Sequence, residues 1–178
     1  EKELAAVEAA GATLLFKGRD GYLDRLARFD DAPPVISVRG ATSLLSSPSI
    51  AIVGARNASI NAVRLAQKLS EQLSGAGYVV VSGLARGIDA AAHNGAIAGG
   101  TIAVIAGGID TCYPPENADL QDAIIDAGLL LAEMPPGTQP TPRHFPIRNR
   151  IIASLAQGVL VVEAAQRSGS LITAQEAG

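Results

Sequence analysis

The chain has 178 residues, 48% of them apolar and 3% aromatic, with no tryptophan and a formal net charge of −3. This suits one α/β domain with a small appendage and a core of Ala, Val, Ile and Leu, and it excludes a disulfide scaffold, since Cys112 stands alone. No apolar run approaches the ~20 residues of a membrane span and no leader pattern opens the chain, so a soluble protein of the reducing cytoplasm with no membrane partner is expected.

Residues 1–11 read as a short Ala-rich helix stopped by Gly11, followed by a strand over 13–16 and a helix over 22–29. Asp30-Asp-Ala-Pro-Pro34 turns the chain into Val35-Ile-Ser-Val38, an expected edge strand, and 40–49 reads as a linker. Residues 1–48 are thus taken as an N-terminal helical and edge-strand extension of a main unit over 49–178. That unit opens on Ser49-Ile-Ala-Ile-Val-Gly-Ala-Arg56. An apolar β-branched run cut off by a glycine and a cation is how a buried parallel strand ends when its tip faces an anion. Ser59 then caps a helix whose apolar positions Ala62, Leu65, Ala66, Leu69 and Leu73 keep the helical period, with Gly75 and Gly77 as its stop. Strand, helix and strand in quick succession form a βαβ unit, so Tyr78 to Val81 should run parallel to the first strand.

Ser82-Gly-Leu-Ala-Arg-Gly-Ile-Asp89 leaves that strand and opens a helix to about Ala98. Gly87 permits close approach of backbone to a ligand, and the free N–H groups of the first turn attract an oxyanion. His93, inside this helix, reads as a histidine satisfied by local hydrogen bonds. A third strand-like run, Thr101 to Gly108, releases a loop that ends at Asn117. Asn117 reads as the cap of a helix with Leu120, Ala123, Ile124 and Ala127 inward and Asp119, Asp122 and Asp126 in solvent. A strand over 129–132 ends at Glu133, and four prolines within 135–142 make an exposed connection delivering Arg143-His-Phe-Pro-Ile-Arg-Asn-Arg150. In a helix starting near Pro146, the residues Ile147, Ile151, Ile152 and Leu155 form the buried arc, and Arg148 falls inside it. A cation there needs a partner, either Glu133 or Glu163 at neighbouring strand ends or a phosphate in the crevice. The last strand, 158–162, ends at Glu163 and a further helix opens near Ser168, so the sheet reads as unfinished.

Strands laid parallel release their glycine loops along one edge, where open α/β sheets bind ligands. Acidic residues are absent from 32–70 and from 134–162, which hold Arg39, Arg56, Arg64, Lys68, Arg143, Arg148 and Arg150, so a positive face coexists with an acidic whole. The spacing Gly-x-Gly-x-x-Gly is missing, as is the P-loop pattern, Cys112 has no evident base, and Glu133 and Glu163 are the remaining acid–base candidates. Phosphate-gripping groups without visible catalytic machinery favour binding over turnover, with no cofactor and no metal.

Five ordered stretches now bring a family into view: Ala51-Ile-Val-Gly-Ala-Arg56; Ser82 to Asp89; Gly107-Gly-Ile-Asp-Thr-Cys-Tyr-Pro114 with Asn117; Phe145-Pro-Ile-Arg-Asn-Arg-Ile-Ile152; and Val162-Glu-Ala with Ser168-Gly-Ser-Leu-Ile-Thr173. Together they closely resemble the DNA-processing protein A (DprA/Smf) family over residues 32–178. The resemblance implies an extended Rossmann-like α/β fold, its mostly parallel sheet flanked by helices on both faces. It also implies a non-catalytic homodimer that binds and protects incoming single-stranded DNA and loads a RecA-type recombinase onto it during natural transformation, without a cofactor. Carried onto this chain, the DNA groove is lined by Gly54, Ala55, Arg56 and Asn57, by Ser82, Gly83, Arg86 and Gly87, and by Arg143, Phe145, Arg148, Asn149 and Arg150. Arg56, Arg148 and Arg150 are then phosphate or structural cations, Arg143 a flanking basic contact, and Phe145 either a base-stacking platform or a core plug. The alternative is a nucleotide hydrolase resembling the nucleoside-monophosphate phosphoribohydrolases, although Gly107-Gly-Ile-Asp110 lacks the Thr and Glu of their Pro-Gly-Gly-x-Gly-Thr-x-x-Glu pattern.

Overall fold

Alternation of β-branched runs with Ala-rich helical segments builds a seven-stranded sheet among residues 2–164, which are those described by the structure, a computed structural model. In chain order the elements are α1 (Lys2–Ala9), β1 (Thr13–Phe16), α2 (Asp24–Ala27), β2 (Val35–Gly40), β3 (Ser49–Gly54), α3 (Ile60–Gly75) and β4 (Val79–Ser82). They continue with α4 (Ile88–Ala96), β5 (Thr101–Gly108), α5 (Ala118–Ala127), β6 (Leu129–Met134), α6 (His144–Leu155) and β7 (Val159–Val162). The strand order is β1-β2-β6-β5-β4-β3-β7. β3 to β7 pair in parallel, while β2 joins β6 and β1 joins β2 antiparallel. The Rossmann-like architecture expected from the sequence is therefore present. The helix expected from Ser168 lies outside the described residues.

Strand periodicity divides the core between the two faces of the sheet. Ala51 and Val53, Val79 and Val81, Ile102 and Val104, and Leu129 and Leu131 pack with Leu26 of α2 and with Ile151, Ile152 and Leu155 of α6. The alternate residues Ile52 and Val80 meet α3 and α4, and Ala103, Ile105, Leu130 and Ala132 meet Ile124 of α5. The central strands are thus covered on both faces, as parallel strands require.

Three expectations are corrected. Val35–Gly40 is not an edge strand: Pro33 and Pro34 stop short of its ladder, so nothing prevents it from pairing on both sides, and β1 takes the edge. In α3 the buried stripe is Ala62, Ala66 and Ser70, and Leu65 is 50% exposed. Small residues win there because α3 lies close on α4, where the Ser70 hydroxyl donates to the Ala92 carbonyl. In α5 Ala123 and Ala127 face solvent, while Gln121 turns inward and donates to the Thr111 carbonyl at 3.1 Å.

Candidate nucleic-acid interface

β3, β4 and β5 release their chains side by side, and the first two loops are welded together. The Ile88 N–H donates to the Ala55 carbonyl at 3.2 Å, and the Ala55 N–H in turn donates to the carbonyl of Glu163, just after β7, at 2.7 Å. One first-turn N–H of α4, where an oxyanion was expected, is thus bonded to a neighbouring loop. Gly87, at φ 73° and ψ −118°, is required by that contact, since a Cβ there would lie 2.6 Å from the Arg56 carbonyl oxygen. Gly54 serves similarly, because its Cβ would lie 2.6 Å from Ile88 Cγ1. The amide of Ala85 turns to the Asp89 carboxylate, Oδ2, at 3.4 Å. Burial pushes the Asp89 carboxyl above its ordinary range, opposed by the Arg148 charge and by backbone donors from Ala85 and Gly83.

Above these loops lies an open trough of two adjoining hollows, about 170 and 560 Å³, that share Arg56, Ala85, Tyr113, Pro140, Phe145 and Arg148. The exposed Arg56 guanidinium stands over the Phe145 ring, 4.8 Å from its centroid. Tyr113 meets the same ring at 5.8 Å with a 51° tilt and is itself 49% exposed. The cation–π contact is worth about 0.5–1 kcal/mol at such an exposed site, enough to orient Arg56 without fixing it. Phe145 is a half-buried wall of the trough, and the core-plug alternative falls away.

Arg148 forms the floor and is 5% exposed. Its Nη1 donates to the Gly83 carbonyl and, at 2.5 Å, to the Val104 carbonyl, while Nε donates to Asn149 Oδ1 at 3.1 Å. Neither Glu133 nor Glu163 is its partner. Burial lowers its pKa to about 10, with Asp89 opposing and Arg56 adding to the fall, so it stays cationic at neutral pH and lies near the second cation. Gly83 leaves room for it, since a Cβ there would lie 2.5 Å from Arg148 Cζ.

The residue after Gly83 is conformationally costly. Leu84 has φ 56°, which costs a branched side chain about 1–3 kcal/mol. Its complete burial beside Ile105, Ile109 and Ile124 returns about 1.5–3 kcal/mol. The Asn117 carboxamide donates to the Leu84 carbonyl at 2.9 Å and to the Ala85 carbonyl at 3.3 Å. Asn117 therefore stands at the N-cap position of α5 without capping it, contrary to expectation.

Several residues assigned to the groove stand elsewhere. The fully buried Ser82 hydroxyl donates to the Ile52 carbonyl at 2.6 Å. Arg150 binds Glu133 Oε1 at 2.5 Å and Asp31 Oδ2 at 3.4 Å, tying α6 to the end of β6 and to the N-terminal segment, and it lines neither hollow. Exposed Arg143, just before α6, is likewise absent from their walls. Asn57 and Arg86 line the smaller hollow, Arg86 in an ion pair with Glu116, and Ala55, Gly54 and Asn149 line the larger. Tyr113 and Pro140 are not assigned to the groove from the sequence, and Asn117 reads there as a helix cap. A tyrosine between a glycine loop and a proline, in a chain with three tyrosines, was the available signal for the first.

Among the described residues no group of three or more His, Cys, Asp or Glu side chains is placed to hold a metal ion, and no helix is long and apolar enough to cross a membrane. A mostly parallel sheet whose strand ends carry a cationic, aromatic-walled trough defines a Rossmann-like ligand-binding domain. Residues 13–178 match the family of DNA recombination-mediator protein A, and the chain belongs to that family. It is 47% identical over 160 residues to the DNA processing protein DprA of Streptococcus pneumoniae, covering 89% of this chain and 56% of that protein. The crystal structure of DprA from that organism superposes with a TM-score of 0.88 at 44% identity, covering 93% of this chain and 59% of that one. The DNA processing protein A of Helicobacter pylori, whose structure is described as showing its single-stranded DNA binding mode, superposes at 0.86 with 29% identity, covering 93% of this chain and 75% of that one. The chain thus spans less than two thirds of the length of its Streptococcus relative.

Proposed function

We propose that the trough binds single-stranded DNA, with Arg56 meeting the phosphate chain and Phe145 and Tyr113 offering faces to bases. The observation that carries this reading is the exposed Arg56 guanidinium resting on Phe145 at the mouth shared by both hollows. A cation beside aromatic faces suits a strand of any sequence, because every base can stack and every linkage carries a charge. The single-stranded DNA binding of the Helicobacter pylori relative supports it. In this reading the protein is non-catalytic and cytoplasmic, acts as a homodimer, protects incoming DNA and passes it to a RecA-type recombinase during transformation. The non-catalytic part is supported by the two candidate carboxylates being engaged apart, Glu133 by Arg150 and Glu163 by the Ser59 N–H and hydroxyl at 2.9 and 2.6 Å.

The test is filter binding of labelled oligo-dT across a salt titration. Arg56→Ala should weaken binding about tenfold or more and reduce the slope of log K against log salt by about 0.7, the contribution of one single-strand phosphate contact. Unchanged affinity and slope in that variant at low salt would sink the reading.

A further inference from the structure

Three successive carbonyls after β4 are each claimed by a side chain from another part of the fold. Gly83 O accepts from Arg148 on α6, Leu84 O accepts from the Asn117 carboxamide at 2.9 Å, and Ala85 O accepts both from that carboxamide at 3.3 Å and from the Ala90 N–H at 3.1 Å. Asn117 lines neither hollow, so it meets these carbonyls from outside the trough. The tripeptide they belong to supplies Gly83 and Ala85 to the wall of the smaller hollow, and its middle residue holds the positive φ of 56°. Without an external donor, the backbone at Leu84 would relax toward the region that L side chains prefer and would swing a carbonyl dipole toward the path of an anion.

We infer that Asn117 is a positioning residue for nucleic-acid binding, a two-pronged donor that holds the Leu84 and Ala85 carbonyls off the trough floor. The inference rests on the reading of the trough as a single-stranded DNA site. It separates cleanly from the ordinary role of an asparagine before a helix. Aspartate caps a helix as well as asparagine does. As a clamp, however, aspartate replaces the two N–H donors with an oxygen that repels both carbonyls. An N-cap therefore ranks the variants Asn ≈ Asp > Ala, and a clamp ranks them Asn > Ala > Asp.

The experiment compares the whole chain with Asn117→Ala and Asn117→Asp, reading oligo-dT affinity across a salt titration and amide hydrogen exchange at residues 84–86. The clamp predicts about fivefold to tenfold weaker binding for Asn117→Ala, the loss expected for a net hydrogen bond or two, and weaker binding still for Asn117→Asp. The salt slope should not change, because Arg56 is untouched, and exchange at 84–86 should quicken in the same order while the amides of 102–105 in β5 stay protected. Native affinity in Asn117→Ala, or an Asn117→Asp variant that binds and exchanges like the wild type, would overturn it. So would loss of protection throughout β5, which would assign Asn117 to folding at large. If the wild-type chain showed no salt-dependent binding, the DNA reading would fail, and the exchange order alone would still decide the clamp.

Discussion

Gly87→Ala probes the weld between the first two loops, and a matched control isolates its cost. Gly87 and Gly77 both hold a positive φ, 73° and 87°, so alanine at either pays backbone strain of about 1–3 kcal/mol. Around Gly77 nothing lies within 4 Å of the place an alanine methyl would take, whereas at Gly87 that methyl would lie 2.6 Å from the Arg56 carbonyl oxygen and 2.9 Å from the carbonyl carbon. The Ala55 carbonyl oxygen lies closer still, so restoring ordinary 3.4 Å contacts means moving the Ala55–Arg56 backbone by at least 3.4 − 2.6 = 0.8 Å. Overpacking of that kind costs about 1–3 kcal/mol. Gly87→Ala should therefore destabilise by about 2–6 kcal/mol against about 1–3 for Gly77→Ala in urea unfolding with equal m-values. Because the shift carries Arg56 off Phe145, oligo-dT affinity should fall in Gly87→Ala and hold in Gly77→Ala. Equal stability losses, or a Gly87→Ala variant with native affinity, would refute the claim that this glycine exists to let the two loops touch.

Two further outcomes are expected. His93 is fully buried, and its Nδ1–H must donate to Thr101 Oγ1, at 2.8 Å, because the threonine hydroxyl hydrogen goes to the Val80 carbonyl. Burial, aided by the Arg148 charge, lowers its pKa from 6.5 to about 3. The unfolded chain thus binds the extra proton between those values, so the His93 contribution is intact above pH 6.5 and falls on acidification by up to about 1.4 kcal/mol per pH unit. His93→Gln should flatten that part of the stability profile in pH-dependent urea melts, and an unchanged slope would show that the imidazole titrates alike in both states. Arg150→Met should cost about 1–3 kcal/mol in thermal unfolding, less than a wholly buried pair because Arg150 and Glu133 side chains retain 17% and 19% exposure. It should leave the salt slope of DNA binding unchanged, and a shallower slope would return Arg150 to the interface.

The strands β3, β4 and β5 were legible in sequence because each is a run rich in β-branched residues released into glycine, and one-dimensional pattern suffices for that. Arg56 was legible for the same reason, as the first cation after a strand tip. Arg148 was only half legible: helical spacing placed it in the buried arc, but its acceptors are main-chain carbonyls of Gly83 and Val104, and carbonyls have no letter in the sequence. The sequence leaves Arg150 open between phosphate and structural cation because its partners Glu133 and Asp31 lie 17 and 119 residues away, out of reach of any local pattern. Asn117 matched a local rule, the helix cap, while a bond to a loop some thirty residues earlier decided its orientation.

If the trough holds single-stranded DNA as proposed, its two arginines divide the electrostatic work according to what holds them. A phosphate that took Arg148 as a direct ligand would have to break charge-assisted bonds to two carbonyls, each worth about 1.5–3 kcal/mol, and would release the strand tips those bonds join. Arg148 is therefore a fixed charge: at an effective dielectric near 20 it attracts a phosphate about 8 Å away by about 2 kcal/mol without touching it. Asp89, which lines the larger hollow and interacts with Arg148, offsets part of that field. Arg56, held only by a ring face, can leave it at a cost of about 0.5–1 kcal/mol and close on the strand. The floor thus supplies potential and the rim supplies contact, which is why the buried guanidinium is built into the backbone while the exposed one rests on Phe145.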